Sequence, residues 1–356
     1  MKIIHCADIH LDSKMESNLS RRQAAERNVE IRETFCKMVT YAAENGVEVI
    51  LIAGDLFDTK RVSSTSIGCI LDLVAQNPKI DFLYLKGNHD EQLHSFFSRL
   101  PSNFKVFSDA WQYHRYGNVV IAGAELREQN CNDIYASLNL RGEDMNIVTL
   151  HGQEATQPGP DTVCIPSLRN KNIRYLALGH LHSYKLQPLD HSGQYCYCGC
   201  LEGRGFDECG EKGFVLLDIK DNRLRSEFVP FARRQMHEIR VDISNQVQVN
   251  RIAAAMVAAA EGISSADLIK FVLCGTYTAE TNKDLVYLQN TLSHKFYFVK
   301  IADESKLLLE YAYYENDISL KGEFTRLVMG SELSDEQKEQ IICAGLQALS
   351  GEEITL

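Results

Sequence analysis

The feature that most constrains this chain is the placement of five short polar motifs, each directly after an apolar segment of strand length. The motifs are Asp8-Ile9-His10, Gly54-Asp55-Leu56-Phe57-Asp58, Gly87-Asn88-His89-Asp90, His151-Gly152 and Gly179-His180-Leu181-His182. The segments before them span 2–7, 47–53, 80–85, 146–150 and 175–178, and 119–124 adds a sixth. Short apolar runs of this kind predict buried strands. Helical patterns lie between them. Ser20 is placed to cap a helix reaching Glu44, with Val29, Ile31, Phe35, Met38, Val39 and Ala42 at helical spacing and Gly46 at its C-terminal end. Residues 64–76 and 91–99 also read as helices. Alternation of this kind predicts a layered α/β domain. From 184 to 229 the helix signals fade, and a second, partly antiparallel sheet is expected there.

Past residue 235 the pattern restarts. Strands at 237–243, 268–274 and 295–301 alternate with helices at 247–260 and 283–292, a small α/β unit of its own. Ser334 and Gln337 form a capping box before an amphipathic helix over 334–349. Three segments follow: a main domain over 1–232, a small α/β domain over 233–330 and a helical tail over 331–356. With 45% apolar and 24% charged residues in 356, the composition is that of a globular protein, which excludes disorder. The apolar runs are too short to span a bilayer, and residues 1–7 are too short for a signal peptide. Eleven scattered cysteines do not resemble a secreted disulfide framework, and a reducing cytoplasm is expected. A net charge of −11 argues against tight autonomous binding to duplex nucleic acid, though not against an enzyme with acidic ligands.

Ligands gather outside the carboxyl ends of sheet strands, so the five motif loops are expected to converge on one site. In extended backbone, residues i and i+2 share a side, so Asp8 with His10, and His180 with His182, each present a pair. The set offers carboxylate, imidazole and amide donors, a mixture suited to Mn²⁺, Fe²⁺ or Zn²⁺ rather than calcium. Each motif alone is weak, since Gly-Asp is an ordinary turn and a lone histidine is usually packed or exposed. Five in order, all at strand ends, are a strong signal.

The segments HCADIHLDS, AGDLFDTKRVS, LKGNHD, LHG and GHLHS resemble the calcineurin-like metallophosphoesterases, and within them the bacterial SbcD and YhaO proteins and their relatives in double-strand-break repair. CGCLEGRGFDECGEKGF at 198–214 resembles the segment that closes this domain in YhaO-type proteins, and 237–303 resembles the family's capping domain. The resemblance implies an αββα sandwich holding two divalent ions, Mn²⁺ first among them. Asp8, His10 and His182 would hold one ion, Asn88, His151 and His180 the other, and Asp55 would bridge them. His89 matches the family's catalytic histidine, with Asp90 orienting it. Asp58 stands where archaeal and eukaryotic members tend to have histidine, and matches the bacterial pattern.

The implied activity is a DNA exonuclease and single-strand endonuclease with a long coiled-coil SMC-like ATPase partner. No G-x-x-x-x-G-K-[ST] motif occurs in the chain, so an ATP-driven step would come from that partner. The helix over 334–349 is a candidate docking element. Lys60 and Arg61 are candidate DNA-backbone contacts, and Arg204 either faces phosphate or ties down its own loop. Phe96 and Phe97 are core residues or part of a homodimer contact. Cys196, Cys198 and Cys200 share one strand face about 6.8 Å apart, too widely spaced for one tetrahedral zinc, so buried thiols are expected. His5 reads as a hydrogen-bonded core residue. Another phosphate ester as substrate, or a non-catalytic scaffold in a repair complex, are the rival readings.

Overall fold

The structure is a computed structural model that describes every residue except 16–18, 59–61, 89, 91–99, 279–280, 309–313, 315–316 and 350–356. It divides into two compact units, Met1–Gln235 and Met236–Leu356. The first contains β1 (Lys2–Cys6), α1 (Arg21–Glu44), β2 (Val49–Ala53), α2 (Ser64–Gln76), β3 (Asp81–Leu85), β4 (Phe104–Val106), β5 (Gln112–Tyr116), β6 (Val119–Gly123) and α3 (Ile134–Ser137). It continues through β7 (Met145–His151), β8 (Gln153–Ala155), β9 (Thr162–Cys164), α4 (Ile165–Leu168), β10 (Ile173–Gly179), β11 (Lys185–Pro188), β12 (Gln194–Tyr197), β13 (Gly213–Lys220) and β14 (Arg223–Pro230).

Two six-stranded sheets result, ordered β14-β13-β1-β2-β3-β4 and β11-β12-β10-β7-β6-β5. Alternate residues of each strand face the space between them. Ile3, Val49, Leu51 and Leu83 from one sheet meet Ile121, Ile147, Tyr175 and Ala177 from the other in a buried core. The intervening residues Val148, Leu150, Leu176 and Leu178 pack outward on Ile134, Tyr135, Ile165 and Leu168 of the short helices. On the other flank, α1 buries Ile31, Phe35, Met38, Val39 and Ala42. The fold is an αββα sandwich. Ser20 and Gln23 close a capping box on α1, each backbone amide bonded to the other's side chain at 3.3 Å. Val29, expected on the core face, is 42% exposed because two residues before Ile31 is about 200° around the helix.

The strands of 184–229 do not form a sheet of their own. β11 and β12 extend the second sheet, whereas β13 pairs antiparallel with β1 and β14 with β13. The cause is β13's alternation: Val215, Leu217 and Ile219 supply the inward apolar face that completes the core beside β1. β5, with its polar sequence QYHRY, and β4, only three residues long, escape an apolar-run criterion. The helix expected at 91–99 lies outside the described residues.

The second unit runs β15 (Met236–Asp242), α5 (Val249–Ala259), β16 (Leu268–Cys274), β17 (Thr276–Tyr277), α6 (Leu285–Ser293), β18 (Phe298–Asp303), β19 (Lys306–Leu307), α7 (Leu320–Met329) and α8 (Asp335–Leu349). β15, β16 and β18 form a parallel sheet whose core includes Val241, Phe271 and Leu273 against Ile252, Met256, Leu288 and Leu292. Gln337 and Ser334 bond reciprocally at the start of α8, and Ile342 and Leu346 bury its inner face. Among the described residues no helix is long and apolar enough to cross a membrane.

Candidate metal centre

β1, β2 and β3 are parallel neighbours, as are β7 and β10, so the five motif loops leave the carboxyl ends of two facing sheets. Crossed hydrogen bonds lock them together. The amides of Asp8, Ile9 and His10 donate to the carbonyls of Gly54 and Asp55 at 2.9–3.1 Å. His151 Nδ1 donates to the Ala53 carbonyl at 2.9 Å, joining one sheet to the other. Four candidate ligands hold left-handed backbone: Asp8 (φ 52°), His10 (51°), Asp55 (52°) and His180 (103°). Such strain persists only where the surroundings enforce it, and it concentrates at functional sites. Two glycines give the loops their closeness. A Cβ on Gly54 would fall 2.0 Å from His151 Nδ1, and one on Gly87 2.0 Å from Asp55 Oδ1.

Among the described residues two clusters of potential ligands form, one of Asp8, His10 and His182 and one of Asp8, Asp55 and His151, each with donor atoms within 4.8 Å of one another. His10 and His182 bring their Nε2 atoms to 3.2 Å. Asp55 Oδ2 lies 3.4 Å from His151 Nε2 and 3.9 Å from His10 Nε2, between the two clusters. Asn88 Oδ1 is 3.3 Å from His151 Nε2. His180 falls outside both clusters, though its ring meets His151 edge-on at 5.5 Å. Its backbone amide donates to both Asp8 oxygens at 3.0 Å.

The charge balance fits a cation. Burial, reinforced by Asp55, pushes Asp8 up to about 6. Burial alone would lower His151, but the Asp55 and Asp8 carboxylates outweigh it and hold the ring at about 9. A buried cluster this rich in negative charge, with imidazole nitrogens aimed into it, has the donor chemistry of a site for Mn²⁺, Fe²⁺ or Zn²⁺.

The other candidates have different surroundings. Asp90 is fully buried and accepts from the amides of Leu56 (3.2 Å), Phe57 (3.0 Å) and Gly87 (3.1 Å). Its two oxygens therefore tie the Asp55 loop to the Asn88 loop. Asp58 Oδ1 lies 3.1 Å from His10 Nδ1 and pairs with Arg204 at 3.3 Å. Burial opposes ionisation of Asp58, yet those partners hold it down at about 2. Arg204 also pairs with Glu208 at 3.0 Å. His89, Lys60 and Arg61 lie outside the described residues, as do Phe96 and Phe97. Glu208, which no motif marks, accepts from His182 Nδ1 at 2.7 Å. Its only sequence signal was its place in the segment 198–214. Lys86 lies inside the LKGNHD segment but is not singled out there, and Arg127 carries no motif signal; they flank Glu125 at 2.6 and 2.5 Å in a cleft that continues to Asn88 and His151. Cys196, Cys198 and Cys200 are buried thiols outside both clusters.

The chain is 28% identical to the uncharacterized metallophosphoesterase YhaO of Bacillus subtilis over 253 residues, 64% of this chain and 60% of YhaO. It is 24% identical to the DNA double-strand break repair protein Mre11 of Aeropyrum pernix over 269 residues, covering 68% of this chain and 64% of that one. It thus spans about three fifths of the length of these two relatives. With the SbcD component of the SbcCD nuclease of Staphylococcus epidermidis the identity is 25% over 296 residues, 70% of this chain and 74% of that protein. The calcineurin-like phosphoesterase model matches residues 1–184, which hold all five motifs whole. With that match over more than half its length, the chain belongs to the calcineurin-like phosphoesterase family.

Proposed function

We propose that the protein is a metal-dependent phosphodiesterase that cleaves DNA, as an exonuclease and single-strand endonuclease, in DNA repair. The observation that carries this reading is the convergence of two carboxylate–imidazole clusters on Asp8, with Asp55 between them. Relatives named as a nuclease component and a double-strand break repair protein support DNA as the substrate. Two divalent ions, Mn²⁺ by resemblance, would supply Lewis acidity toward phosphate oxygens and an activated water. Asp8, His10 and His182 would hold one, Asn88, His151 and His180 the other, and Asp55 both. Lys86 and Arg127, beside Asn88, pair with Glu125 along the cleft and are proposed to meet an anionic chain approaching the site. Lys60 and Arg61 are proposed backbone contacts, and His89 the group that meets the scissile phosphate or protonates the leaving oxygen.

An SMC-like coiled-coil ATPase is the proposed partner, with α8 as its docking element, and the unit from Met236 as a cap that selects substrate. Homodimerisation and a cytoplasmic location complete the reading; eleven free thiols support a reducing compartment. The test uses labelled single- and double-stranded DNA, a phosphopeptide and a small diester, each with Mn²⁺ and with chelator. Mn²⁺-dependent cleavage of DNA is expected. Turnover of the phosphopeptide or small diester alone would move the substrate class, and no turnover of any would favour a scaffold.

A further inference from the structure

His10 and His182 lie on loops that follow different strands, yet their outward nitrogens both face carboxylates. His10 Nδ1 lies 3.1 Å from Asp58 Oδ1, and His182 Nδ1 lies 2.7 Å from Glu208 Oε1. An ionised carboxylate can only accept, so the Glu208 hydrogen bond places the His182 proton on Nδ1 and leaves the lone pair on Nε2, and the Asp58 carboxylate beside His10 Nδ1 favours the same arrangement there. The two Nε2 atoms are 3.2 Å apart. One guanidinium joins the carboxylates: Arg204 Nη1 is 3.3 Å from Asp58 Oδ1 and Nη2 is 3.0 Å from Glu208 Oε1. The Arg204 amide donates to the other Glu208 oxygen at 2.7 Å. Arg204 Nη2 also comes within 3.3 Å of His182 Nδ1, but Glu208 is the nearer partner of that nitrogen.

The loop bearing Arg204 is itself anchored. Arg27, fully buried on α1, donates to the Gly203 carbonyl and to Glu202 Oε2, both at 2.9 Å. Lys212 Nζ donates to the His182 carbonyl at 2.8 Å. The guanidinium is thus engaged on two sides by carboxylates and largely covered, which leaves little of its fork for a phosphate.

We propose that Arg204 is a positioning residue, a single cation that holds Asp58 and Glu208 against the Nδ1 atoms of His10 and His182 so that both imidazoles present Nε2 to one metal ion. The proposal rests on the metal-site reading above and deepens it.

The test uses the full chain carrying Arg204→Met or Arg204→Lys, with Mn²⁺ titration calorimetry, metal counting and thermal unfolding of the metal-free proteins. Removing such an outer partner commonly costs about 10–100-fold in metal affinity. Arg204→Met is expected to weaken one of two Mn²⁺ equivalents by that factor, and Arg204→Lys to recover part of it. With Co²⁺ as the probe, the ligand-field absorption of the weakened site should shift in Arg204→Met. Glu208→Gln should produce the same loss, and combining it with Arg204→Met should add little, because both act on one network. If Arg204→Met does not fold, Glu208→Gln and Arg204→Lys carry the test. An unchanged Mn²⁺ titration with a raised KM for a diester would overturn the proposal and make Arg204 a substrate contact. A wild-type chain that takes up no Mn²⁺ would instead bring down the metal-site reading itself.

Discussion

Asp55 Oδ2 stands 3.4 Å from His151 Nε2, and the Ala53 carbonyl, two residues earlier on the same strand exit, accepts from that ring's Nδ1 at 2.9 Å. One end of β2 therefore sets the imidazole's direction and meets it with a carboxylate. If Asp55 serves two cations, Asp55→Asn removes charge where both require it. The variant should keep its fold, lose at least one of two Mn²⁺ equivalents by metal counting, and lose about 100-fold or more in diester hydrolysis. Two retained equivalents with full activity would show that Asp55 is not shared.

The network behind the Arg204 loop makes a stability prediction. Arg27 has no exposed surface; it pairs with Glu30 and with Glu202, and Glu202 also accepts from Thr34 Oγ1 at 2.7 Å. Arg234 reaches Glu30 from the end of the first unit at 2.7 Å. Removing one partner of a buried pair leaves an uncompensated charge, at a cost of about 3–5 kcal/mol. Arg27→Met should therefore unfold at clearly lower denaturant concentration. A loss of less than about 1 kcal/mol would mean that Glu30 and Glu202 find other partners.

Much of this was legible in the sequence, and the limits have physical causes. Strand-length apolar runs marked β1, β2, β3, β6, β7 and β10 because strands buried on both faces carry few polar residues. The motif loops marked the cluster residues because each chemistry-bearing side chain directly follows a strand. What could not be read is how outer residues support the inner ones. Glu208 lies 26 residues from His182, and Glu202 lies 175 from Arg27. Neither spacing has a periodic signature. The same limit hid the split of β11–β14 between two sheets, since a strand's alternation states which face is apolar and not which edge it joins.

Asp90 offers a test of how the two loops are held. It accepts from three backbone amides in a fully buried setting. Asp90→Ala leaves those donors without their acceptor, each such loss costing about 1–3 kcal/mol before relaxation. The variant should lose about 3 kcal/mol or more of unfolding free energy and bind Mn²⁺ more weakly, because the Asp55 and Asn88 loops are no longer tied. If stability is unchanged while DNA cleavage is lost, Asp90 acts on the chemistry, through His89, rather than on the loops.

His5 makes a prediction about acid stability away from the metal clusters. It is fully buried in β1, with Nδ1 2.9 Å from the Tyr175 hydroxyl. Burial pushes its pKa down to about 3, against a smaller opposing effect of the Leu178 backbone. The folded chain therefore keeps this ring neutral, whereas the unfolded chain protonates it near pH 6.5. Below pH 6.5 the unfolded state binds a proton that the folded state refuses, so stability falls with falling pH. The contribution is intact above about pH 7 and is lost progressively from about 6.5 toward 3. Between pH 7 and pH 5 this one group should cost about 2 kcal/mol. His5→Gln keeps a polar partner for Tyr175 and cannot take the proton. Urea unfolding of both chains at pH 7 and pH 5 checks the expectation, with the variant losing about 2 kcal/mol less than the wild type over that interval. Equal losses in both would mean that the ring is already protonated in the folded chain, with its charge met by a neighbour.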